Sequence, residues 1–397
     1  MTIIKVKGRG SEAIGRRNLV INGAMQVAQR GTSSTSSGHN TVDRFAVNFD
    51  SGLTEAPTQA QVTLSSSDTP YSSGLRYALK ITNGNQTSQD ANDYIQIAHK
   101  IEAQDIAQSG WNYTSSSSNI TLSFWVKASI AQTMYARLNA EDTPSSDARA
   151  FSFAFSATTS WSKITKTISG DSNLAFNNDT GIGLAVYFIP FYGTNYTTSG
   201  HTNDAWVVDS GSDQVTDMAN TWFSGNDATL EVTGVQLEVG DHATDFEHLT
   251  FDATLRRCQR YFIKHTLVSG SATAYNSGSD GYRWWISFPT QMRDTPTMTS
   301  SGGTDGGSVS SFGIIYSSKE GYTPVISSND STKDVWYYGA TVTANASDSG
   351  NGGSSVVGAY QIKHPDLVKA EYHCQHLTSQ HHLIFSRELC GKQLKYS

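Results

Sequence analysis

The segment Thr229–Phe262, TLEVTGVQLEVGDHATDFEHLTFDATLRRCQRYF, constrains the fold more than any other stretch of the chain. Leu230 and Val232 alternate with Glu231 and Thr233, the period-2 pattern of a half-buried strand. After Gly234 the apolar set moves to the other parity, with Val235, Leu237 and Val239. A one-residue phase shift turns the second half of a strand inside out unless the chain bulges, and glycine tolerates the backbone angles of a bulge. The pattern therefore predicts a strand bulged at Gly234 and ended by Gly240 and Asp241. Asp252 is then placed to cap a short helix, with Leu255, Cys258 or Gln259, and Phe262 on one face. A strand, a corner and a short helix packed into one connection read as a joint between two larger regions. Nothing in the segment is catalytic in type.

The residues before the joint carry many short strands. Ile120, Leu122, Phe124 and Val126 alternate with Thr121, Ser123, Trp125 and Lys127, and Phe151, Phe153 and Phe155 alternate with small residues. Ile164 and Ile168 flank threonine-rich positions, and Gly181–Ile189 is apolar on both parities, as in a strand covered on both faces. Turn clusters at Ser115–Asn119 and Asp142–Asp147 separate strands, and Asn22-Gly23 is a tight-turn signal. This spacing suggests a two-sheet sandwich. After the joint a second β-rich region contains Tyr282–Phe288, a Gly/Ser loop at Ser300–Ser311, Phe312–Tyr316 and Val335–Val342. No repeat of 20–50 residues is evident, which argues against a solenoid.

Composition excludes several classes. At 397 residues the chain is long enough for two or three domains. Charged residues make up 16%, against about 25% in typical soluble domains; Ser, Thr and Asn take their place. Aromatic residues at 11% argue against disorder. A net charge of -7 provides no overall footprint for nucleic acid or an anionic membrane. There is no apolar run of about 18 residues, so no membrane insertion is expected. MTIIKVKGRG lacks a signal-peptide core, and Cys258, Cys374 and Cys390 make no disulfide framework. Synthesis in a reducing cytoplasm fits both observations.

The wording GVQLEVG…ATDFEH…LRRCQRYF resembles a block that recurs in bacteriophage tail fibres and related receptor-binding proteins. There it closes a jelly-roll module similar to carbohydrate-binding domains and leads into a distal module. NLVINGAMQVAQRGT…VDRF (Asn18–Phe45), YIQIAHKIE (Tyr94–Glu102) and ITLSFWVKAS (Ile120–Ser129) also resemble parts of that module, and FPTQMRDTPTMT (Phe288–Thr299) resembles the one that often follows. The resemblance spans roughly residues 16–300 and lies in the order of the blocks. It implies a mainly β chain: a jelly-roll β-sandwich joined by a short helix to a second, smaller β-rich distal domain. The expected organisation is an N-terminal arm at 1–40, a jelly roll at 41–248, a connecting helix at 249–265, a distal domain at 266–362 and a His/Cys-containing tail at 363–397.

The function implied is a phage tail fibre that adheres multivalently to host surface glycans without catalysis. Expected partners are the host glycan, other virion tail proteins held through the N-terminal arm, and two further copies in a homotrimer. The location implied is the virion tail, after synthesis in the host cytoplasm. Two alternatives stay open: a structural virion protein (head decoration or tail adaptor) and a polysaccharide depolymerase. Sugar rings pack CH groups on flat aromatic faces and pair hydroxyls with neutral or acidic neighbours. The candidate contacts are therefore Trp125, Trp206, Trp285, Trp336 and Tyr338. Consecutive aromatics such as Trp284-Trp285 and Trp336-Tyr337-Tyr338 must point to both faces of a strand, leaving one side for a ligand. No cofactor is expected. Asp241, Asp245 and Glu247 supply oxygens for a structural calcium but form no EF-hand loop. His373, Cys374, His376, His381, His382 and Cys390 are transition-metal ligand types without a standard spacing. The acidic stretch Asp204, Asp209, Asp213 and Asp217 forms no catalytic motif, and there is no GxSxG, HExxH or P-loop.

Overall fold

A computed structural model describes residues 17–142, 148–267, 270–272, 282–283, 285–301, 309–328, 335–337 and 340–346. The first twelve strands are β1 Ser33–Ser34, β2 Phe45–Phe49, β3 Thr58–Thr63, β4 Tyr77–Thr82, β5 Tyr94–Glu102, β6 Asn119–Ala128, β7 Gln132–Ala140, β8 Arg149–Ala157, β9 Ser162–Ser169, β10 Ile182–Tyr192, β11 Trp206–Val208 and β12 Thr229–Val239. They form two six-stranded sheets, ordered β1-β3-β4-β12-β6-β9 and β11-β8-β7-β10-β5-β2, with antiparallel pairing throughout. The chain crosses repeatedly from one sheet to the other, as in a jelly-roll β-sandwich. Helices α1 (Thr69–Ser72) and α2 (Ala103–Ala107) are single turns between strands, and α3 (Phe251–Gln259) follows the sandwich.

Alternation explains the core. Ile120, Leu122, Phe124 and Val126 of β6 face Phe151, Phe153 and Phe155 of β8 and Leu184, Val186 and Phe188 of β10 in one buried cluster. The Phe124 ring meets Phe155 and Phe188 edge-on at 5.2 and 4.7 Å. Strand β10 is buried on its other face too, where Ile189 packs with Tyr135, Tyr192 and Val215. That second cover comes from the long connection between β10 and β12.

Strand β12 bulges where its phase shift requires. Its register with β6 slips between Thr233 and Gln236, and Gly234 lies at φ 61. The slip returns Val235 and Leu237 to the core that Leu230 and Val232 already occupy. The N-terminal segment locks onto this bulge. The Val235 amide donates to the Gly23 carbonyl at 3.0 Å and the Leu19 amide to the Leu237 carbonyl at 2.9 Å. Asn18 Nδ2 donates to the Val235 carbonyl at 3.0 Å, while its Oδ1 accepts the Leu237 amide at 3.1 Å. A side chain on Gly23 would place its Cβ 2.0 Å from the Val235 oxygen, so only glycine fits. Asn22, in the left-handed region at φ 63, turns its buried amide to the Val27 and Asp43 carbonyls. Residues 18–40, expected in an N-terminal arm, are thus tied to the sandwich: Asn18–Gly23 bonds β12, β1 pairs with β3, and Gly38 bridges to Val47 of β2.

The helix cap also differs from expectation. Thr250, not Asp252, is the N-cap, its Oγ1 accepting the Ala253 amide at 3.3 Å. Asp252 stands in the first turn, where the positive end of the helix dipole favours its charge. Cys258 is buried with Ile21, Val27 and Tyr261, and Leu255 packs against them, so the helix seats on the N-terminal segment. Phe262, expected on the helix face, instead opens the next strand.

Beyond α3 lie β13 Phe262–Leu267, β14 Gly270–Ala272, β15 Tyr282–Arg283, β16 Ile286–Ser287, β17 Thr297–Ser301, β18 Val309–Ser317, β19 Gly321–Ser328, β20 Val335–Tyr337 and β21 Ala340–Asn345. They form small antiparallel sheets around a core of Ile263, Phe288, Met292, Tyr322, Val342 and Ala344.

Candidate glycan groove on the second sheet

Strand β5 reads YIQIAHKIE, and its alternation decides what each face of the second sheet carries. Ile95, Ile97 and Ile101 enter the core. His99 is buried at the edge of that core, its ring stacked on Phe45 at 4.8 Å. Its Nε2 accepts the Ile21 amide at 3.1 Å, which leaves Nδ1 to donate to the Arg44 carbonyl at 3.1 Å. By parity Tyr94, Gln96, Ala98, Lys100 and Glu102 lie on the outer face. On that face Tyr187 of β10 stands opposite Arg137 of β7, and Ala185 opposite Asn139.

These side chains line an open groove of about 400 Å³, formed by Tyr94, Gln96, Arg137, Asn139, Tyr187 and Tyr192, with Tyr196, Asp209, Gly211 and Gln214 from the connection that follows β10. Three rings cluster at one end. Tyr94 meets Tyr196 at 5.8 Å and Tyr192 at 6.5 Å, both edge-to-face, and Tyr192 lies 5.4 Å from Tyr196. The Gln214 amide donates to the Tyr196 carbonyl at 2.9 Å and the Thr198 amide to Val215 at 3.2 Å, which ties the loop to itself. Tyr196 is therefore held by backbone bonds as well as by its neighbours.

The polar side of the groove is organised by Asp209. Its carboxylate pairs with the Arg137 guanidinium and accepts Asn139 Nδ2 at 3.2 Å, while the Asp209 amide donates to the Ala148 carbonyl at 2.7 Å. Arg137 Nε and Asn139 Oδ1 are buried without a hydrogen-bond partner among the described residues. Buried polar atoms are rarely left unused. Tyr187 donates to Glu141 at 2.8 Å, and Tyr192 donates to Gln96. Burial pushes the phenols of Tyr94, Tyr187 and Tyr192 up, with the Glu141 carboxylate adding to the effect at Tyr187. All three stay neutral; Tyr192 is buried, while the half-buried rings of Tyr94, Tyr187 and Tyr196 leave uncharged aromatic surface beside a fixed donor and acceptor set.

The tryptophans expected at the site are elsewhere. Trp125 is on the outer face of the first sheet, packed with Leu64, Leu75, Trp161 and Phe246. Trp206 is half-buried in β11, 5.6 Å from Phe151, with Nε1 donating to the Ser169 carbonyl at 2.8 Å. Trp285 is 45% exposed on the distal module, 6.0 Å from the exposed ring of Tyr316. Trp336 belongs to β20, but its side chain and the whole of Tyr338 lie outside the described residues. The tail histidines and cysteines after Lys363 lie outside them as well.

Of the acidic loop residues, Asp213 joins a second network. His201 Nδ1 lies 2.7 Å from Asp213 and its Nε2 lies 2.6 Å from Ser152 Oγ. Serine, histidine and aspartate stand in the order of a nucleophile, base and orienting acid. Ser152 is 1% exposed in the middle of a paired strand, and Asn203 Oδ1 also lies 3.0 Å from its hydroxyl. A substrate cannot reach that oxygen, so the network clamps the 201–213 loop onto β8. Two of the three acids noted as possible calcium oxygen donors are engaged elsewhere. Glu247 accepts the Arg17 and Asn18 amides at 3.2 and 2.9 Å, and Asp241 pairs with its neighbour His242. Among the described residues no three His, Cys, Asp or Glu side chains gather as a metal site.

No protein-family profile matches the chain, and no curated protein does. Among solved structures the chain is similar to a family 4 carbohydrate-binding module, at 10% identity and TM-score 0.29 over 56% of this chain and 99% of that one. It is similar to the N-terminal cellulose-binding domain of Cellulomonas fimi β-1,4-glucanase C, at 11% identity and TM-score 0.27 over 55% of this chain and 100% of that one. It is also similar to the enzymatically active domain of tailspike protein 4 of bacteriophage CBA120, at 9% identity and TM-score 0.29, covering 56% of this chain and 21% of that one. Likenesses this distant carry no argument about ligand or activity.

Proposed function

We propose that this chain is a glycan-binding adhesin of the phage tail-fibre kind and that the tyrosine groove is its sugar site. The observation that carries the reading is the groove itself. Neutral tyrosine rings stand beside the Arg137–Asp209–Asn139 set, which is the pairing of flat faces and directional polar groups that a sugar ring needs. The resemblance of five sequence blocks to tail-fibre modules supports placing that site on a virion, with adhesion rather than turnover as its task. Each site would bind weakly, and several copies on one particle would raise avidity by ~10²–10⁴ over a single site. Trp285, exposed on the distal module, is a candidate second contact.

The test is binding of the purified chain to intact candidate host cells, with competition against phage adsorption. Tyr196→Ala should reduce cell binding at least tenfold while the thermal midpoint stays close to the parent's, and Asp209→Asn, which keeps an acceptor beside the buried Arg137, should reduce binding as well at some cost in stability. Full binding by both folded variants would remove the groove from the reading. Undiminished binding by Trp285→Ala would remove that residue alone. Release of reducing ends from envelope polysaccharide would replace adhesion with depolymerase activity.

A further inference from the structure

Strand β5 carries Ala98 and Lys100 on the same outer face as Tyr94 and Gln96, and a second hollow of about 240 Å³ opens beside them. Separate segments bring Arg30, His39, Arg44 and Lys100 to its wall, and the distal module contributes Phe262 and Asn345. The Arg30 guanidinium lies 3.7 Å above the Phe262 ring and 3.7 Å from the Asp43 carboxylate. Arg44 has φ 73, a conformation costly for any residue but glycine. Its guanidinium lies 3.3 Å from the Tyr261 ring centre and donates to the Lys100 carbonyl. The His99 bond to the Arg44 carbonyl holds that strained turn in place.

The wall of this hollow carries more cationic than anionic side chains, but Arg44 is 3% exposed and Arg30 pairs with Asp43, so Lys100 is the cation that a ligand meets first. Asp43, the acid in the wall, is 1% exposed and already accepts from Gln29 while pairing with Arg30. Among the described residues the half-buried Lys100 ammonium has no acceptor. A chain of net charge -7 has thus gathered the cations Arg30, Arg44 and Lys100 around one concave space. A cleft with a surplus of one sign of charge concentrates ligands of the other sign, and guanidinium with ammonium suits carboxylate or phosphate oxygens.

We infer that this hollow binds an anionic substituent, a carboxylate or a phosphate, on the glycan whose neutral rings lie in the tyrosine groove. The identity of the ligand rests on the groove reading; the charge preference rests on the hollow. Gln96 and Lys100 are four residues apart on one strand, about 13 Å at strand rise. The ligand is therefore an acidic oligosaccharide lying along β5 toward the joint, not a single terminal sugar.

The test titrates the full chain with an oligogalacturonate, with the methyl ester of the same oligosaccharide, and with inorganic phosphate. Each titration is repeated for Lys100→Met, which keeps the aliphatic stem, and for Asn48→Asp, which adds a carboxylate to the wall. Matching thermal midpoints establish that both variants fold. The acid should bind about tenfold more tightly than its ester, as a charge-assisted hydrogen bond predicts. Both variants should bring the acid down to the ester's affinity and leave the ester unchanged. Phosphate that competes through Lys100 extends the site to phosphorylated sugars, while phosphate without effect restricts it to carboxylates; either outcome supports the hollow once the acid preference is seen. Equal affinity for acid and ester, or an acid preference that survives in both variants, overturns the hollow and leaves the groove standing. Phosphate binding through Lys100 with no oligosaccharide binding keeps the hollow and counts against the glycan groove. Silence of all three probes overturns the hollow, and the groove is then judged by cell binding.

Discussion

Gly234 sits where two requirements meet. Its φ of 61 belongs to the left-handed region, and a Cβ there would come 2.7 Å from Leu75 Cδ1 and 3.0 Å from Trp125 Cδ1. Gly234→Ala should lower unfolding stability by about 1–3 kcal/mol, the range for a side chain forced into a strained conformation. Urea denaturation measures it, and an unchanged midpoint would mean that the bulge relaxes freely. Cys258 offers a second test at this scale. It is 1% exposed, and burial pushes its thiol well up, so the reactive thiolate is scarce. An alkylating reagent at pH 8 should leave the Cys258 peptide unmodified in the native chain and label it in denaturant, as read by peptide mass spectrometry. Single residues were unevenly legible in the sequence. Gly234 announced itself through the parity change around it. Trp125 and Trp206 did not, because parity assigns a side chain to a sheet face without saying what covers that face.

At the scale of elements, two segments singled out by wording proved to be partners. Asn18–Gly23 pairs with the bulged strand β12: Asn18 bonds the Val235 and Leu237 backbone more than two hundred residues on, while Asn22 ties the turn to the Val27 and Asp43 carbonyls. Local pattern showed the strand and the turn; the pairing is long-range and leaves no periodic trace. The groove was hidden for the same reason. Tyr187 falls in the run Gly181–Ile189, apolar on both parities, which reads as fully covered; Tyr192 lies just past it at the end of the same strand, and Tyr196 and Asp209 arrive from the following connection. Asp209 was visible as one of four loop acids, but its choice of Arg137 and Asn139 depends on how that loop folds back. Helix α3 shows the precision of capping signals. Thr250 and Asp252 are both good caps by type, and the structure uses the threonine. Thr250→Ala should destabilise the helix by about 1 kcal/mol, visible as faster amide exchange within Phe251–Gln259 and only a slight change in global midpoint. Equal exchange rates would assign the cap to another group.

Across the whole molecule, groove, hollow and joint follow one another along the outer face of β5, and the joint fixes where the distal module stands. At its end Glu102 accepts Arg260 Nε and Nη2 at 2.7 and 2.8 Å and the Tyr261 hydroxyl at 2.5 Å. Gln29 adds a bond to the Phe262 carbonyl at 2.9 Å, and Arg293 reaches from the distal module to the Thr180 carbonyl at 2.5 Å. Burial alone would raise the Glu102 carboxyl, but the hydrogen bonds from Arg260 and Tyr261 and the Arg260 charge outweigh it and hold the carboxyl below the usual glutamate range. The sign of the pH effect follows. The unfolded chain takes up the proton first, so the Glu102 contribution is complete above the ordinary glutamate value of about 4.3 and is lost as pH falls below it through the folded value. The joint should therefore loosen in acid while the sandwich core, which is apolar, does not depend on that proton. Arg260→Met leaves a buried carboxylate uncompensated and should cost about 3 kcal/mol at neutral pH. Glu102→Gln should lower the thermal midpoint at pH 6, with the gap to the parent closing as both are taken to about pH 2.5. A gap that stays constant over this range would show that the Glu102 charge does not hold the two modules together.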